Sequence, residues 1–174
     1  MRSPLPFALA LFTDEERHPD IVSLMERLPG AGLLPPLLIV FRHYGLRAGD
    51  RAVLAHRAAV VARRKGHLFV TARGSFGDGA HNGWSRGLRT VSVHGPREGA
   101  AKAAALRPHL GFVSPVFPTR SHPGAAALGP ARASAIAQRL PYPAFALGGV
   151  DDLSTKRLIG TPFCGIAAIG AFGP

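Results

Sequence analysis

Residues 90–114 read TVSVHGPREGAAKAAALRPHLGFVS. This segment begins with the β-branched run Thr90–Val93, continues through an alanine-rich stretch from Pro96 to Leu106, and ends in a second apolar run, Leu110–Ser114. The first and last runs are typical of buried strands, and alanine is the strongest helix former. The order strand, helix, strand predicts two parallel strands joined by a crossover helix.

The same alternation extends to both sides of this unit and predicts about eight strands. The other predicted strands are Phe7–Phe12, Leu37–Phe41, His67–Thr71, a short one around Ala80-His81, Ala144–Leu147 and Cys164–Ile169. The other predicted helices are Asp20–Leu28, Asp50–Lys65, Pro130–Leu140 and Asp151–Ile159. A glycine-rich loop is predicted over residues 73–82 and a long loop over residues 115–129.

This pattern leaves two α/β architectures open, a closed (β/α)8 TIM barrel and an open doubly wound sheet. No GxGxxG or GxxxxGK[ST] motif is present, so the nucleotide-binding signatures of open sheets are missing. We therefore predict the α/β class with a compact (β/α)8 TIM barrel. Because such barrels usually take about 200 residues or more and this chain has 174, its final helix is expected to be short or missing.

Composition indicates an ordinary globular protein. Hydrophobic residues make up 47% of the chain, which excludes disorder as a class. No apolar run approaches the roughly 18 residues of a membrane span, and the run Leu5–Phe12 is expected to be a strand and not a signal peptide. The single cysteine, Cys164, excludes an internal disulfide framework and is expected to be a core thiol. We predict one domain over residues 1–174 and a cytoplasmic location.

The charge is strongly basic and uneven. The chain has 21 Lys+Arg and 10 Asp+Glu, a formal +11, and residues 42–107 hold 13 of the basic residues and only three acidic ones. Arginine, which dominates, presents a planar fork suited to phosphate and carboxylate oxygens. Nucleic acid is nevertheless not expected as a partner, because the chain has no RRM, zinc-finger or K homology motif and its aromatic residues do not alternate with the arginines.

In a (β/α)8 barrel the functional site is formed by the loops that follow the strands. In this chain those loops carry arginine, imidazole, hydroxyl groups and glycine backbone, which suit a phosphorylated small molecule. Gly148-Gly149 also has a purely structural interpretation as a tight strand-to-helix turn. No metal-ligand spacing such as HExxH occurs, so no metal ligand is predicted. The candidate site residues are Arg42, His81, Ser92, His94, Thr119, Ser121, His122, Gly148, Gly149, Gly170 and Ala171.

Several of these segments resemble the thiamine phosphate synthase/TenI family. Residues 114–124, SPVFPTRSHPG, resemble the family's G-P-[VI]-F-P-T-x-[TS]-K-like loop, and Ala146–Val150 resembles its strand ending in A-[IL]-G-G-[IV]. The order and spacing of the matches hold from about residue 7 to residue 172. The further matches are Thr13-Asp14, Arg42, His81-Asn82-Gly83, Ser92-Val93-His94, Leu128-Gly129 and Gly165–Ala171.

The resemblance implies a role in thiamine biosynthesis, with phosphorylated pyrimidine and thiazole small molecules as partners. Synthases of this family join hydroxymethylpyrimidine pyrophosphate to a thiazole phosphate: pyrophosphate leaves, a pyrimidine cation forms, and the thiazole nitrogen captures it. The residues that would contact the pyrophosphate are Arg42, Ser92, Thr119 and Ser121, and those that would hold the thiazole phosphate are Gly148 and the backbone near Gly170 and Ala171. A proton would be moved by His94 or His122.

The same resemblance implies Mg²⁺ as a cofactor, but the carboxylates that usually hold it are absent. The family's N-D-D falls near residues 70–72, which are Val, Thr and Ala, and no acidic residue follows His81-Asn82-Gly83. The two lysines of the family pattern are Tyr44 and His122 here. Without its carboxylates, the chain lacks the ligands that Mg²⁺ prefers.

Three explanations of these differences stay open. Arginines such as Arg73, Arg86 and Arg120 replace the metal, or the substrate or reaction differs, or the chain is a noncatalytic paralogue that binds thiamine precursors. A TenI-like thiazole tautomerase is a further alternative, although the histidine of its G-H-V-F loop is Pro115 in this chain. The sequence also leaves open whether the chain forms a homo-oligomer.

Overall fold

Eight parallel strands close into a barrel in which every strand pairs with its neighbours in chain order. The structure is a computed structural model, and it describes residues 5–33, 35–74, 76–119 and 126–169. The strands are β1 (Leu9–Phe12), β2 (Leu37–Phe41), β3 (Leu68–Ala72), β4 (Gly79–His81), β5 (Leu88–Val93), β6 (Leu110–Val113), β7 (Ala144–Leu147) and β8 (Gly165–Ala168). The helices are α1 (Ile21–Arg27), α2 (Ala48–Arg64), α3 (Pro96–Leu106), α4 (Gly129–Gln138) and α5 (Asp152–Thr155), which continues as a 3₁₀ turn over Lys156–Leu158.

Closure of the sheet decides between the two predicted architectures. β1 pairs in parallel with β2 on one side and with β8 on the other, where Leu9 lies beside Ile166. An open doubly wound sheet has two free edges, so it is excluded, and the predicted α/β barrel is confirmed. Residues 170–174, at the end of the sequence after β8, lie outside the described ranges. The expectation that the final helix is short or missing therefore stays a prediction.

Alternating strand positions fill the interior of the barrel with apolar side chains. Phe12, Phe112 and Phe145 are almost fully buried there and meet edge to face, with ring centroids 4.7 and 5.9 Å apart in successive pairs. Such T-shaped contacts are preferred over face-to-face stacking. Leu38 and Val40 of β2 belong to the same interior cluster. The barrel is therefore a packed core, and a ligand can enter only at its ends.

The helices cover the outer face of the barrel in two separate layers. The first layer packs α1 and α2 against β1–β3, with Ile21, Met25 and Ala58 among its buried members. The second packs α3 and α4 against β5–β8 around Ile136 and Tyr142. Among the described residues, no helix is long and apolar enough to cross a membrane.

Two crossover helices are absent from the described barrel. Residues 73–78 join β3 to β4, and residues 82–87 join β4 to β5, although parallel strands usually need a dozen or more residues between them. Glycine makes the tight approach sterically feasible. A Cβ on Gly79 would lie 1.8 Å from the carbonyl oxygen of Leu88, and one on Gly87 would lie 2.1 Å from that of Asp78. The predicted glycine loop and short strand are both found.

Cys164 was expected to be a core thiol, and this prediction is wrong. The residue is exposed and lies just before β8, which begins at Gly165 and not at Cys164. Its Sγ donates to the carbonyl oxygen of Ala144 at 3.2 Å. The apolar run at the end of the chain therefore contributes fewer residues to the barrel than its length indicates.

A buried and an exposed leucine allow a direct test of the packing inside the barrel. Leu38 is fully buried in the barrel interior, whereas Leu153 on α5 is 77% exposed. We expect Leu38→Ala to lower the free energy of unfolding by about 2–5 kcal/mol, because it removes buried methyl groups and leaves a cavity. Leu153→Ala is expected to change it by less than about 0.5 kcal/mol. Urea denaturation of both variants measures this, and equal effects would contradict the described interior packing.

Candidate active site

Three of the predicted site residues meet at the carboxyl end of the barrel. Arg42 follows β2, His81 ends β4, and Ser92 lies near the end of β5. The Arg42 guanidinium carbon lies 5.7 Å from the centroid of the Phe12 ring, and the His81 ring centroid lies 5.3 Å from the same ring. His81 Nε2 lies 3.1 Å from Ser92 Oγ. We call this group, with Asn82, the mouth cluster.

The Arg42 side chain is fixed at the mouth by the loop that follows β1. Its Nε donates to the carbonyl oxygen of Thr13 at 3.0 Å, and its Nη2 lies 3.3 Å from Asp14 Oδ2. Burial opposes ionisation of Asp14, but hydrogen bonds from Arg17 and the charges of Arg17 and Arg42 hold the pKa of that carboxyl below its usual value. An ionised Asp14 therefore orients Arg42. The Thr13-Asp14 match found in the sequence thus has a positioning role.

Behind Arg42 lies a buried histidine, His43. His43 is 1% exposed and stacks on Phe41, with ring centroids 4.5 Å apart. Its Nδ1 lies 3.1 Å from Thr13 Oγ1, and its Nε2 lies 3.0 Å from the carbonyl oxygen of His18. Burial lowers the pKa of His43, so the ring is uncharged near neutral pH. This packing connects the β1 and β2 loops and supports the position of Arg42.

His81 is enclosed in the barrel and its tautomer follows from its neighbours. The backbone N–H of Ser92 donates to Asn82 Oδ1 at 2.9 Å, which turns Asn82 Nδ2 toward His81 Nε2 at 3.1 Å. Nε2 is therefore an acceptor, and Nδ1–H donates to Thr90 Oγ1 at 2.9 Å. Burial, with the nearby charges of Lys102 and Arg42, lowers the pKa of His81 to about 3. His81 is consequently neutral at physiological pH.

Two residues of α3 add charge beside Ser92, and sequence analysis missed both. Lys102 Nζ donates to the carbonyl oxygen of Ser92 at 2.7 Å and to Glu98 Oε1 at 2.6 Å. Glu98 also accepts from the backbone N–H of His94 at 2.7 Å and lies 3.0 Å from its Nδ1. The His94 side chain is 58% exposed at this outer position. The i,i+4 spacing of Glu98 and Lys102 in an otherwise alanine-rich helix was the available signal.

The glycine pair after β7 has a packing explanation. Gly148 and Gly149 have φ of +93° and +64°, which side chains rarely adopt. A Cβ on Gly148 would lie 2.8 Å from Pro115 Cα, and one on Gly149 would lie 2.3 Å from the carbonyl oxygen of Pro118. The Asp151 carboxylate caps the following helix, accepting from the N–H groups of residues 153 and 154. These glycines are required for the loop to pack, and their phosphate-binding role stays a prediction.

The remaining predicted residues lie at or beyond the limits of the described structure. Thr119 is the last described residue of the loop after β6. The residues outside the described ranges are Ser121, His122, Gly170 and Ala171. The binding and proton-transfer roles assigned to them stay predictions.

The residues present at the mouth do not fit a magnesium ion. β3 ends at Ala72 and is followed by Arg73, and β4 is followed by Asn82, so neither strand end supplies a carboxylate. Across the described ranges, no group of three or more His, Cys, Asp or Glu is placed to hold a metal ion. Mg²⁺ is held by hard oxygen ligands, chiefly carboxylates and water. The Mg²⁺ implied by the family resemblance therefore has no carboxylate cage in this part of the chain.

The burial of His81 predicts a loss of stability in acid. Its folded pKa, about 3, lies below the ordinary value of 6.5, so the unfolded chain binds the proton more readily. The contribution of the neutral His81 to the free energy of unfolding is fully present above pH 6.5 and is lost as the pH falls toward 3. Glutamine does not titrate. Between pH 7 and pH 4.5 we therefore expect the free energy of unfolding, measured by urea denaturation, to fall by about 2 kcal/mol less in His81→Gln than in the wild type.

The exposed His56 on α2 supplies the control for this measurement. His56→Gln should keep the pH dependence of the wild type, because it makes the same substitution at an exposed position outside the barrel interior. A wild-type pH dependence retained in His81→Gln would show that His81 protonates freely in the folded protein.

Comparison with known proteins found similarity in both sequence and fold. Residues 87–172 match the family model described as thiamine monophosphate synthase. The thiamine phosphate pyrophosphorylase from Pyrococcus furiosus has a similar structure, with a TM-score of 0.75, 20% sequence identity, and coverage of 94% of this chain and 88% of that chain. No curated protein sequence matches the chain.

A second solved structure shows how widely the fold is shared. The glycerol uptake operon antiterminator regulatory protein from Listeria monocytogenes strain 4b F2365 is 12% identical, with a TM-score of 0.59 and 95% coverage of both chains. The barrel alone therefore does not indicate a function. The sequence match over residues 87–172 places that part of the chain in the thiamine monophosphate synthase family, and the structural similarity shows that the barrel fold is shared.

Proposed function

We propose that the chain is a thiamine phosphate synthase-like transferase, which joins hydroxymethylpyrimidine pyrophosphate to a thiazole phosphate and releases pyrophosphate. The observation that carries the proposal is the mouth cluster, in which Arg42 and the Ser92–His81 pair surround the ring of Phe12. The match of residues 87–172 to the family model supports the class of substrate.

The environment of the mouth cluster suits the departure of an anion. In the proposed reaction the bond between the pyrimidine methylene carbon and the pyrophosphate oxygen breaks, and both electrons stay on that oxygen. The lone pair of the thiazole nitrogen then forms the new C–N bond. Charge separates in this step, so fixed positive groups in a water-poor site stabilise the transition state. Arg42 supplies such a group, and the buried rings of Phe12 and Phe112 exclude water beneath it.

Ser92 has the hydrogen-bond geometry to donate to a phosphate oxygen. Its Oγ lies 3.1 Å from His81 Nε2, but Asn82 Nδ2 donates to that same nitrogen. Because Asn82 keeps the imidazole paired, Ser92 can turn its O–H toward a bound anion without leaving a buried acceptor unsatisfied. Lys102, which is paired with Glu98, donates to the Ser92 carbonyl oxygen and so helps to hold the backbone of Ser92 in place. His81 is then a positioning residue, since it is neutral and is held by hydrogen bonds with Asn82 and Thr90.

A noncatalytic protein that binds thiamine precursors is the second candidate. The absence of magnesium-binding carboxylates at the ends of β3 and β4 favours it, because the family's reaction uses the metal to carry pyrophosphate charge. A TenI-like tautomerase has less support. Its catalytic histidine is replaced by Pro115, which packs against Gly148.

The proposed reaction is tested by incubating the purified protein with both substrates. We expect thiamine phosphate and pyrophosphate in equal amounts by chromatography, and growth without thiamine when the gene is expressed in a strain that lacks thiamine phosphate synthase. Binding of the pyrimidine pyrophosphate without product would support the noncatalytic candidate instead.

The role of the mouth cluster is tested by Arg42→Ala. We expect kcat/KM to fall by about 100-fold or more, because a charge that stabilises the leaving group is lost. Thr119→Ala is expected to weaken binding of the pyrimidine pyrophosphate in calorimetry. The matched control is Arg139→Ala, since Arg139 is exposed at the C-terminal end of α4, at the opposite end of the barrel. Wild-type binding and turnover in Arg42→Ala would exclude the mouth cluster as the pyrophosphate site.

A further inference from the structure

A groove of about 230 Å³ lies at the carboxyl ends of β2 and β3, beside the mouth of the barrel. Two arginines and two aromatic rings line it, namely Arg51, Arg73, Tyr44 and Phe76, together with small apolar side chains near the start of α2. The six-residue connection from β3 to β4 forms no helix in the described structure that would pack beside α2. The rings of Tyr44 and Phe76 are accordingly 44% and 42% exposed.

Both guanidinium groups are held in place by contacts other than ion pairs, although the charge of Glu15 also acts on Arg51. The Arg73 guanidinium carbon lies 4.5 Å from the Tyr44 ring centroid, and that of Arg51 lies 5.8 Å from the same centroid. Arg51 also donates to the carbonyl oxygens of Arg42 and Ala72, at the ends of β2 and β3. Within the described ranges, neither Arg51 nor Arg73 forms an ion pair with a carboxylate. Two fixed positive charges therefore face one groove.

The groove belongs to the same electrostatic environment as the mouth cluster. Tyr44 lies near enough to Arg42 for the two side chains to interact electrostatically. Burial and the neighbouring Arg73 both lower the pKa of Arg51, which is the effect expected when like charges are held close together. A divalent cation would be repelled from this environment, whereas a polyanion would be attracted to it.

The groove occupies the strand end at which the sequence lacks the expected carboxylates. Arg73 follows β3 directly, and the residues near it offer guanidinium groups and not oxygen ligands. Guanidinium groups bind phosphate oxygens directly, through pairs of N–H donors in a fixed fork. We propose that this groove binds the phosphate groups of the pyrimidine substrate directly on Arg73 and Arg51, so that the arginines replace a magnesium ion. The inference rests on the proposed transferase function for the identity of the substrate.

The test uses inorganic pyrophosphate as the probe, titrated into the full chain by calorimetry in two buffers, one with EDTA and one with Mg²⁺. We expect the same Kd within twofold in both buffers, because the binding groups are side chains and not the metal. In the EDTA buffer, Arg73→Ala should weaken binding by about tenfold or more. Arg73→Lys should keep part of the affinity, because it retains the charge and loses the fork.

Arg139→Ala is again the matched control, since it removes the same charge from an exposed position at the other end of the barrel. Its Kd should equal that of the wild type. Thermal unfolding of Arg73→Ala should give the wild-type midpoint, because Arg73 is exposed and its removal leaves no cavity in the core. This excludes loss of folding as the cause of weaker binding.

Two outcomes would overturn the inference: pyrophosphate binding that requires Mg²⁺, or wild-type affinity in Arg73→Ala. Its failure can be told apart from that of the proposed function. Metal-free binding that is lost in Arg73→Ala, in a protein that forms no thiamine phosphate, would support the groove and refute the transferase. Thiamine phosphate formation with strict dependence on Mg²⁺ would support the transferase and refute direct binding of phosphate by the arginines of the groove. No binding of pyrophosphate in either buffer would refute the groove, and formation of thiamine phosphate would still decide the transferase.

Discussion

The geometry of the mouth depends on closure of the eight-stranded ladder. The parallel pairing of β1 with β8 leaves no free edge, and it brings the ends of β2, β4 and β5 around one opening. Inside the ladder, the edge-to-face contacts of Phe12 with Phe112 and of Phe112 with Phe145 fill the space beneath that opening. Arg42 and His81 both contact the ring of Phe12. Their separation is therefore determined by packing and not by the chain that connects them.

The excess positive charge divides into two classes once the fold is known. Several arginines on α2 and its flanks form surface ion pairs, such as Arg63 with Asp78 and Arg64 with Glu26. Such exposed pairs contribute little to stability. Arg42, Arg51 and Arg73 differ because they lie at the strand ends, next to one another and to Tyr44. A small polyanion at this end of the barrel is sufficient to explain them, and no nucleic-acid partner is needed.

Sequence patterns predicted the strands and the longer helices well, because apolar periodicity reflects burial on one face. They also indicated the short strand at Ala80-His81 and the helix-free loop before it, but not how closely the two connections of this strand pack. The reason is steric: close backbone approach at Gly79 and Gly87 depends on the partners Leu88 and Asp78, which no local pattern reveals. The same limit explains why Cys164 was wrongly predicted to be buried: it belongs to an apolar run but lies outside the ladder of strands. Lys102 was missed because its contact with Ser92 crosses from α3 to β5.

By itself the sequence determined the class of the fold, the family resemblance, and the absence of the usual carboxylates at the ends of β3 and β4, because these are properties of residue order and identity. Only the tertiary structure decided that the sheet closes, that His81 is buried and neutral, and that Arg73 and Arg51 share one groove with Tyr44. Burial, tautomer and shared charge depend on distances between residues far apart in the chain. Those distances exist only after the barrel has packed.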